Sequence, residues 1–359
     1  MMTRPVLIMA GGTGGHVFPA LAVADELKTQ GVPIVWLGTK KGIEAKLVAD
    51  AGYEIRWLSI SGLRGKNKLS LLLAPFKLLL ACIQALNVII KVKPVAVLGM
   101  GGFVSGPGGL MAFLTRKSLL VHEQNAIPGM TNSLLSKMAG DVIESFPGSF
   151  QIKKQVHLIG NPVRNTIMKI ESPAQRLKDR SEKINVLVVG GSLGAAVLNK
   201  TIPEMKSLLK DEIEIDLWHQ TGVRNYDEAK GIYKQFNVEA RVDAFIDDMA
   251  EAYSWADIVI CRSGAMTISE LAMAGVASIL VPYPYAVDDH QTANANYLVD
   301  KEAAILMPQD NLTAENLKQV VVSLTREKIL KMSEAAKQCA QPDAAKKVAQ
   351  LCMQAGGLA

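Results

Sequence analysis

Aromatic side chains are scarce in this chain: Phe, Tyr and Trp together make up 5% of its 359 residues. A nucleic-acid binder usually clusters Lys and Arg on one element with aromatics between them. Here the basic residues are spread out, so no nucleic-acid partner is expected. Cysteine is scarcer still. Cys82, Cys261, Cys339 and Cys352 are isolated. None forms a C-x-x-C pair or stands near a ligand-spaced histidine, so no metal site is expected and the thiols fit a reducing cytoplasm. No run of about 18 uninterrupted apolar residues occurs, so no transmembrane helix is expected. The opening MMTRPVLIMAGGTGGH is a short apolar run ending in glycines, without the longer apolar region and cleavage site of a signal peptide. No long polar tract argues for disorder.

What is present is a large apolar fraction, 49%, with 20% charged residues. A chain of this length is too long for one ordinary core, and two domains of roughly 150–180 residues follow. The net charge of +5 is mildly basic, which fits an anionic substrate, an anionic membrane surface or simple solubility. Strand-like apolar runs alternate with helical periods throughout, the pattern of an α/β protein with a mostly parallel sheet. Residues 5–10 read as a strand and 19–30 as a helix with Leu21, Ala24 and Leu27 on one face and Gly31 as its stop. Strands follow near 34–37, 54–60, 95–98, 119–122 and 142–146. The second half restarts the design with a strand at 184–189, a glycine turn at 190–194 and a helix at 195–209, then strands near 213–218, 258–261 and 278–281. The expectation is two doubly wound, Rossmann-like domains facing a cleft, at 1–163 and 164–340. The amphipathic end of the chain, 341–359, is expected to pack back on the first domain. One segment reads two ways. Residues 69–90 are strongly apolar, but Lys77 interrupts them, Pro75 is expected to kink them, and Lys66, Lys68, Lys91 and Lys93 flank them. They fit a packed core helix or a surface helix dipping into a bilayer.

Glycine loops follow the strands. The first is GGTGGH at 11–16, the second GMGG at 99–102 with SGPGG at 105–109, the third GGSLG at 190–194. Glycine lets the backbone approach an oxyanion, and the helix that follows offers free N–H groups and a positive dipole end. Three such loops at strand ends point to a phosphate-bearing nucleotide ligand. The strict G-x-G-x-x-G spacing is missing, and neither Trp36-Leu37-Gly38-Thr39 nor Trp218-His219-Gln220-Thr221 ends on an acid, so a nicotinamide dinucleotide is disfavoured. A Walker A sequence is also missing. The third loop matches G-x-S-x-G, and Asp257 or Asp288 with His290 would complete a hydrolase triad. That reading leaves the first half of the chain unexplained. Under the nucleotide reading, Ser192 donates to a phosphate. The segment CRSGAMTISE at 261–270 is another turn that opens a helix, with Glu270 on the second turn, where a carboxylate can accept a ribose diol. DDHQTAN at 288–294 offers short polar groups suited to sugar hydroxyls or to a helix cap.

These residues together resemble the MurG family of bacterial N-acetylglucosaminyltransferases. The resemblance rests on GGTGGHVFPALAVADEL, GMGGFVSGPGG, HEQNAIPGMTN, GNPVR, GGSLGA, HQTG and RSGAMTISELAMAG followed by DDHQTANA, in order from residue 11 to about 296. It implies a GT-B fold, no cofactor and an inverting transfer. N-acetylglucosamine (GlcNAc) would move from UDP-GlcNAc to the N-acetylmuramic acid 4-hydroxyl of lipid I, giving lipid II and UDP for peptidoglycan. It also implies a peripheral place on the cytoplasmic face of the inner membrane, near cell-wall synthesis and division proteins, with 69–90 meeting anionic lipid. By the same resemblance, Thr13, Gly14 and Gly15 lie near sugar and acceptor, and Asn125 contacts the donor sugar. Arg164 and Ser192 contact the diphosphate part, and Ile246 lies against uracil. Ala265, Met266, Thr267, Ile268, Ser269 and Glu270 wrap phosphate and ribose, and Gln291 holds GlcNAc hydroxyls.

His16 closes the first glycine loop at a helix start, and an imidazole titrating near pH 6.5 suits the general base that takes the acceptor proton. His122 reads as structural, and His157 and His219 have no evident partner. Two rivals share the features: another GT-B enzyme such as a UDP-GlcNAc epimerase, and a non-enzymatic nucleotide-sugar binder at a membrane.

Overall fold

The central apolar runs form strands that are buried on both faces, the circumstance in which a parallel strand loses its polar alternation, whereas the edge strand Glu54–Trp57 is largely exposed. The computed structural model describes residues 4–62, 73–152, 154–191, 194–209 and 212–358. The chain divides into two units, residues 1–163 with 343–359, and residues 164–342.

In the first unit the strands are β1 (Val6–Met9), β2 (Ile34–Gly38), β3 (Glu54–Trp57), β4 (Ala96–Gly99), β5 (Ser118–Glu123), β6 (Asp141–Glu144) and β7 (Val156–Leu158). They form one sheet in the order β3-β2-β1-β4-β5-β6-β7. Every pairing is parallel, with Val6 opposite both Ile34 and Ala96. Successive side chains of β1 go to opposite faces. Val6 and Ile8 pack with Val17, Ala20, Ala24 and Leu27 of the helix Gly14–Thr29. Leu7 and Met9 pack with Ala85, Ile89, Val104 and Leu135. The last helix, Ala344–Ala355, lies on the first of these faces, where Ala344, Val348, Ala349 and Cys352 are buried beside the helix Gly14–Thr29.

The second unit repeats the plan with β8 (Ile184–Val189), β9 (Ile215–Gln220), β10 (Arg241–Asp243), β11 (Ile258–Cys261), β12 (Ala277–Leu280) and β13 (Ala304–Leu306). All are parallel, in the order β10-β9-β8-β11-β12-β13. In each sheet the strand order reverses beside the first strand, between β1 and β4 and between β8 and β11. Ligands of open α/β sheets bind outside the carboxyl ends of the strands at such a point. The loops after β1, β4, β8 and β11 all start there.

Short edge strands β7, β10 and β13 go beyond the sequence reading; each is only three residues long. Pro75 is a correction. It occupies the first turn of the helix Ala74–Val92, where its missing N–H has no intrahelical partner to lose, so it starts the helix without kinking it. That helix is long and apolar enough to cross a membrane by length and composition. However, its stripe of Ala81, Cys82, Ala85 and Ile89 is buried in the unit.

The burial of Val348 at 0% exposure generates a prediction. Val348→Asp places an unpaired charge in the first core and should cost at least about 3 kcal/mol. Hydrogen exchange should then rise across residues 1–163 before it rises in 164–342. An unchanged melting temperature would refute the packing role of the last helix.

Candidate functional site

The first glycine loop is held from below. Glu44 is fully buried at the start of the helix Glu44–Asp50. Its carboxylate accepts from Gly12 N at 3.1 Å, Thr39 N at 2.9 Å and Thr39 Oγ1 at 2.7 Å. From above, the β4 loop comes so close that a Cβ on Gly102 would stand 2.2 Å from Gly11 O, and one on Gly101 would stand 2.6 Å from His16 Nδ1. Both residues also have positive φ, so this double glycine is a steric requirement. Thr13 is the N-cap of the helix Gly14–Thr29, and its hydroxyl makes no cap bond. Gly14 and Gly15 form the first turn, where amide N–H groups lack intrahelical acceptors.

His16 Nδ1 is 2.8 Å from Gln124 Oε1. Gln124 Nε2 is 3.0 Å from His122 Nδ1, and His122 Nε2 is 3.0 Å from Gly160 O. His122 is fully buried, and burial pushes its imidazole down to about 4. Asn125 donates to Glu123 Oε1 through its backbone N at 2.9 Å and its Nδ2 at 3.1 Å. The other Glu123 oxygen accepts from Gly129 N at 3.1 Å and Asn132 Nδ2 at 2.8 Å. A second buried carboxylate thus shapes the turn after β5.

In the second unit, Gly264 caps the helix Ala265–Ala274. Ala265, Met266 and Thr267 form its first turn, beside the carboxyl end of β11. One turn further in, Glu270 Oε1 accepts from Arg164 Nη2 at 3.0 Å and Glu270 Oε2 from Tyr253 OH at 3.1 Å. Burial raises the Glu270 carboxyl pKa, and the Arg164 guanidinium beside it works in the opposite direction. Ile268 is fully buried and its N–H bonds Gly264 O at 3.0 Å. The Ser269 hydroxyl turns back to Ala265 O at 3.0 Å. Ile246 is buried, and its N–H donates to Gln220 Oε1 at 3.0 Å. Gln220 Nε2 donates to Gly191 O at 3.2 Å, which ties the third glycine loop to the 246 region. Gln291 Oε1 accepts from Tyr283 N at 2.9 Å. Ser192, Lys66 and Lys68 lie outside the described residues.

Of the hydrolase alternatives, the pairing of Asp257 with His290 does not form. Asp257 is fully buried and faces Arg326 at 2.8 Å and Arg180 at 3.5 Å, while His290 Nδ1 faces Val287 O at 2.7 Å. Two histidines read as lacking partners have them, supplied by residues distant in sequence: His157 Nε2 is 3.3 Å from Asp141 Oδ1, and His219 Nδ1 is 2.8 Å from Tyr233 OH. Sequence reasoning passed over Glu44, Gln124, Gln220 and Tyr253. Gln124 stands inside the quoted HEQN motif and Gln220 inside the quoted HQTG motif, which were the available signals.

A second surface belongs to the first unit. The helix Ala74–Val92 leaves Phe76 71%, Leu79 60% and Ile90 56% exposed, with Leu78, Leu80 and Ile83 close to half exposed. Lys77, Lys91 and Lys93 are exposed beside them. The helix packs on Ser105–Leu114, which in turn packs on Met130–Ser136. Those two helices add exposed Phe113, Leu114, Met130 and Leu134. Apolar exposure on this scale marks an interaction surface.

Comparison with known proteins matches two family descriptions, the glycosyltransferase family 28 N-terminal domain over residues 6–143 and the glycosyltransferase family 28 C-terminal domain over residues 185–348. A relative from Nitrosococcus oceani is 51% identical over 355 residues, covering 98% of this chain and 99% of its own. One from Marinobacter nauticus is 50% identical over 354 residues, covering 98% of each. Both are named UDP-N-acetylglucosamine--N-acetylmuramyl-(pentapeptide) pyrophosphoryl-undecaprenol N-acetylglucosamine transferase. The crystal structure of Acinetobacter baumannii MurG superposes with a TM-score of 0.86 at 40% identity, covering 98% of this chain and 99% of that one. UDP-GlcNAc 2-epimerase from Neisseria meningitidis superposes at 0.69 with 13% identity, covering 98% and 100%, and shares the fold.

The buried histidines generate a pH prediction. Burial lowers His122 from 6.5 to about 4 and His219 from 6.5 to about 3. Below about pH 6.5 the unfolded chain binds protons at both rings while the folded chain does not, so stability must fall as pH falls toward 4. Urea unfolding from neutral pH down to about pH 4 checks this. His219→Gln should flatten part of the slope, and an identical slope in that variant would refute the assignment.

Proposed function

The chain belongs to glycosyltransferase family 28, and from that premise we propose that it transfers GlcNAc from UDP-GlcNAc to the 4-hydroxyl of the N-acetylmuramyl unit of lipid I, giving lipid II and UDP. The observation that carries the reading is the near end-to-end match to transferases named for that reaction. The epimerase likeness stands at 13% identity and argues for the fold alone.

The chemistry is consistent with the groups described. A carboxylate has about four lone-pair sites. Arg164 and Tyr253 take one on each Glu270 oxygen, which leaves capacity on each for one hydroxyl of a ribose diol. Negative charge grows on the leaving diphosphate as the glycosidic bond breaks. In this reading the first-turn N–H groups of Ala265, Met266 and Thr267 stabilise it, together with Ser192 and Arg164, because preorganised donors need no reorganisation as charge develops. Ile246 lies against the uracil, and Asn125 and Gln291 hold the sugar. Thr13, Gly14 and Gly15 serve the sugar and acceptor. Inversion needs a single in-line attack by the acceptor oxygen, and His16 takes its proton. The exposed apolar row of the helix Ala74–Val92, with its lysines, holds the enzyme peripherally on anionic lipid at the cytoplasmic face of the inner membrane.

A transfer assay with labelled UDP-GlcNAc and a lipid I analogue tests the reaction. Wild-type protein should release UDP only with acceptor. His16→Ala should keep donor binding and lose turnover by about 10²- to 10⁴-fold. Glu270→Ala should weaken UDP binding by about 10- to 100-fold. Equal UDP release without acceptor would overturn the transferase, and near-normal turnover in His16→Ala would remove it as the base. Sedimentation with vesicles containing anionic phospholipid tests the surface: Phe76→Ser with Leu79→Ser should release the protein, and undiminished binding would refute the membrane reading.

A further inference from the structure

We propose that Gln124 and His122 are positioning residues that set the tautomer of His16, placing a proton on Nδ1 and leaving Nε2 as the base nitrogen. The proposal rests on the reading of His16 as general base and deepens it.

The argument starts from a backbone carbonyl, which can only accept. Gly160 O lies 3.0 Å from His122 Nε2, so Nε2 carries a proton. Fully buried and held neutral far below physiological pH, the His122 ring has one proton to place. Its Nδ1 is therefore a lone pair and needs a donor. The Gln124 amide nitrogen supplies it at 3.0 Å, and the same nitrogen also faces His122 O at 3.3 Å. Two acceptors thus fix which end of the amide points inward, and the other end, Oε1, faces His16 Nδ1 at 2.8 Å. An amide oxygen only accepts, so His16 Nδ1 carries the proton. Reversing any link would set two lone pairs or two protons against each other. Gln124 itself is 1% exposed, and its backbone O accepts from Asn161 Nδ2 at 3.0 Å. The closeness of Gly101 keeps the His16 ring in place. Free histidine in water prefers the opposite tautomer, with its proton on Nε2, which would leave that nitrogen unable to accept.

Two-bond 1H–15N correlation NMR on the full-length protein with 15N-labelled histidine, in mildly alkaline buffer, reads the tautomers directly. The expected result is Nδ1–H at His16 and Nε2–H at His122. A wild-type His16 protonated on Nε2 overturns the proposal whatever His16→Ala does to turnover, so the two readings fail separately. Gln124→Met keeps the bulk and loses both polar ends. It should move His16 toward Nε2–H and lower kcat by about 10-fold or more, with the KM for UDP-GlcNAc unchanged. Gln124→Glu can still accept from Nδ1–H, so it should keep the His16 tautomer and retain more kcat than Gln124→Met. Unaltered kcat and tautomer in Gln124→Met would overturn the proposal. Equal losses in both variants with the His16 tautomer unchanged would also overturn it.

Discussion

Both units depend on one constraint, the point in a parallel sheet where strand order reverses. Chain connections leave the first strand to opposite sides there, so neighbouring loops diverge and open a crevice at the carboxyl ends. In the first unit this point lies between β1 and β4, in the second between β8 and β11. The loops that meet there must come closer than a side chain permits. A Cβ on Gly102, after β4, would meet Gly11 O, after β1, at 2.2 Å; in the second unit the same tightness falls on the other side of β8, where a Cβ on Gly194 would meet Thr221 O, after β9, at 2.1 Å. The glycines follow from that geometry, and the helix N-termini that come after them bring their unpaired N–H groups to the same edge.

Loops rich in glycine lose more conformational freedom on folding than other segments. In this protein buried polar side chains hold them. Glu44 takes the Gly12 amide, Glu123 takes the amides of Asn125 and Gly129, and Gln220 joins Gly191 to Ile246. Burying a carboxylate costs much free energy unless its oxygens are bonded, and here each oxygen of Glu44 and Glu123 accepts a backbone N–H. The effect is a backbone already organised before any ligand arrives, which is what stabilisation of developing charge requires.

The helix Ala74–Val92 serves two environments at once. Its narrow stripe of Ala81, Cys82, Ala85 and Ile89 closes the first core, while Phe76, Leu79 and Ile90 stay exposed. The buried stripe matches the core-helix reading of this segment, and a single helix has room for an exposed apolar face as well.

What the sequence determined by itself is the class of fold and the places where chemistry gathers. Strands buried on both faces must be continuous apolar runs, and close backbone approach must be glycine, so β1, β4, β8, β11 and their loops were legible, as was the doubly wound plan. The edge strands β7, β10 and β13 were not, because three residues carry too little pattern. Nor were the partners of the buried polar groups. Glu44 reaches Gly12 across 32 positions, Gln124 reaches His16 across 108, and Arg164 reaches Glu270 across 106. Local pattern encodes which residues are apolar and which backbone must bend. Which lone pair meets which proton is decided only when the sheet brings distant segments within 3 Å, and that step belongs to the tertiary structure.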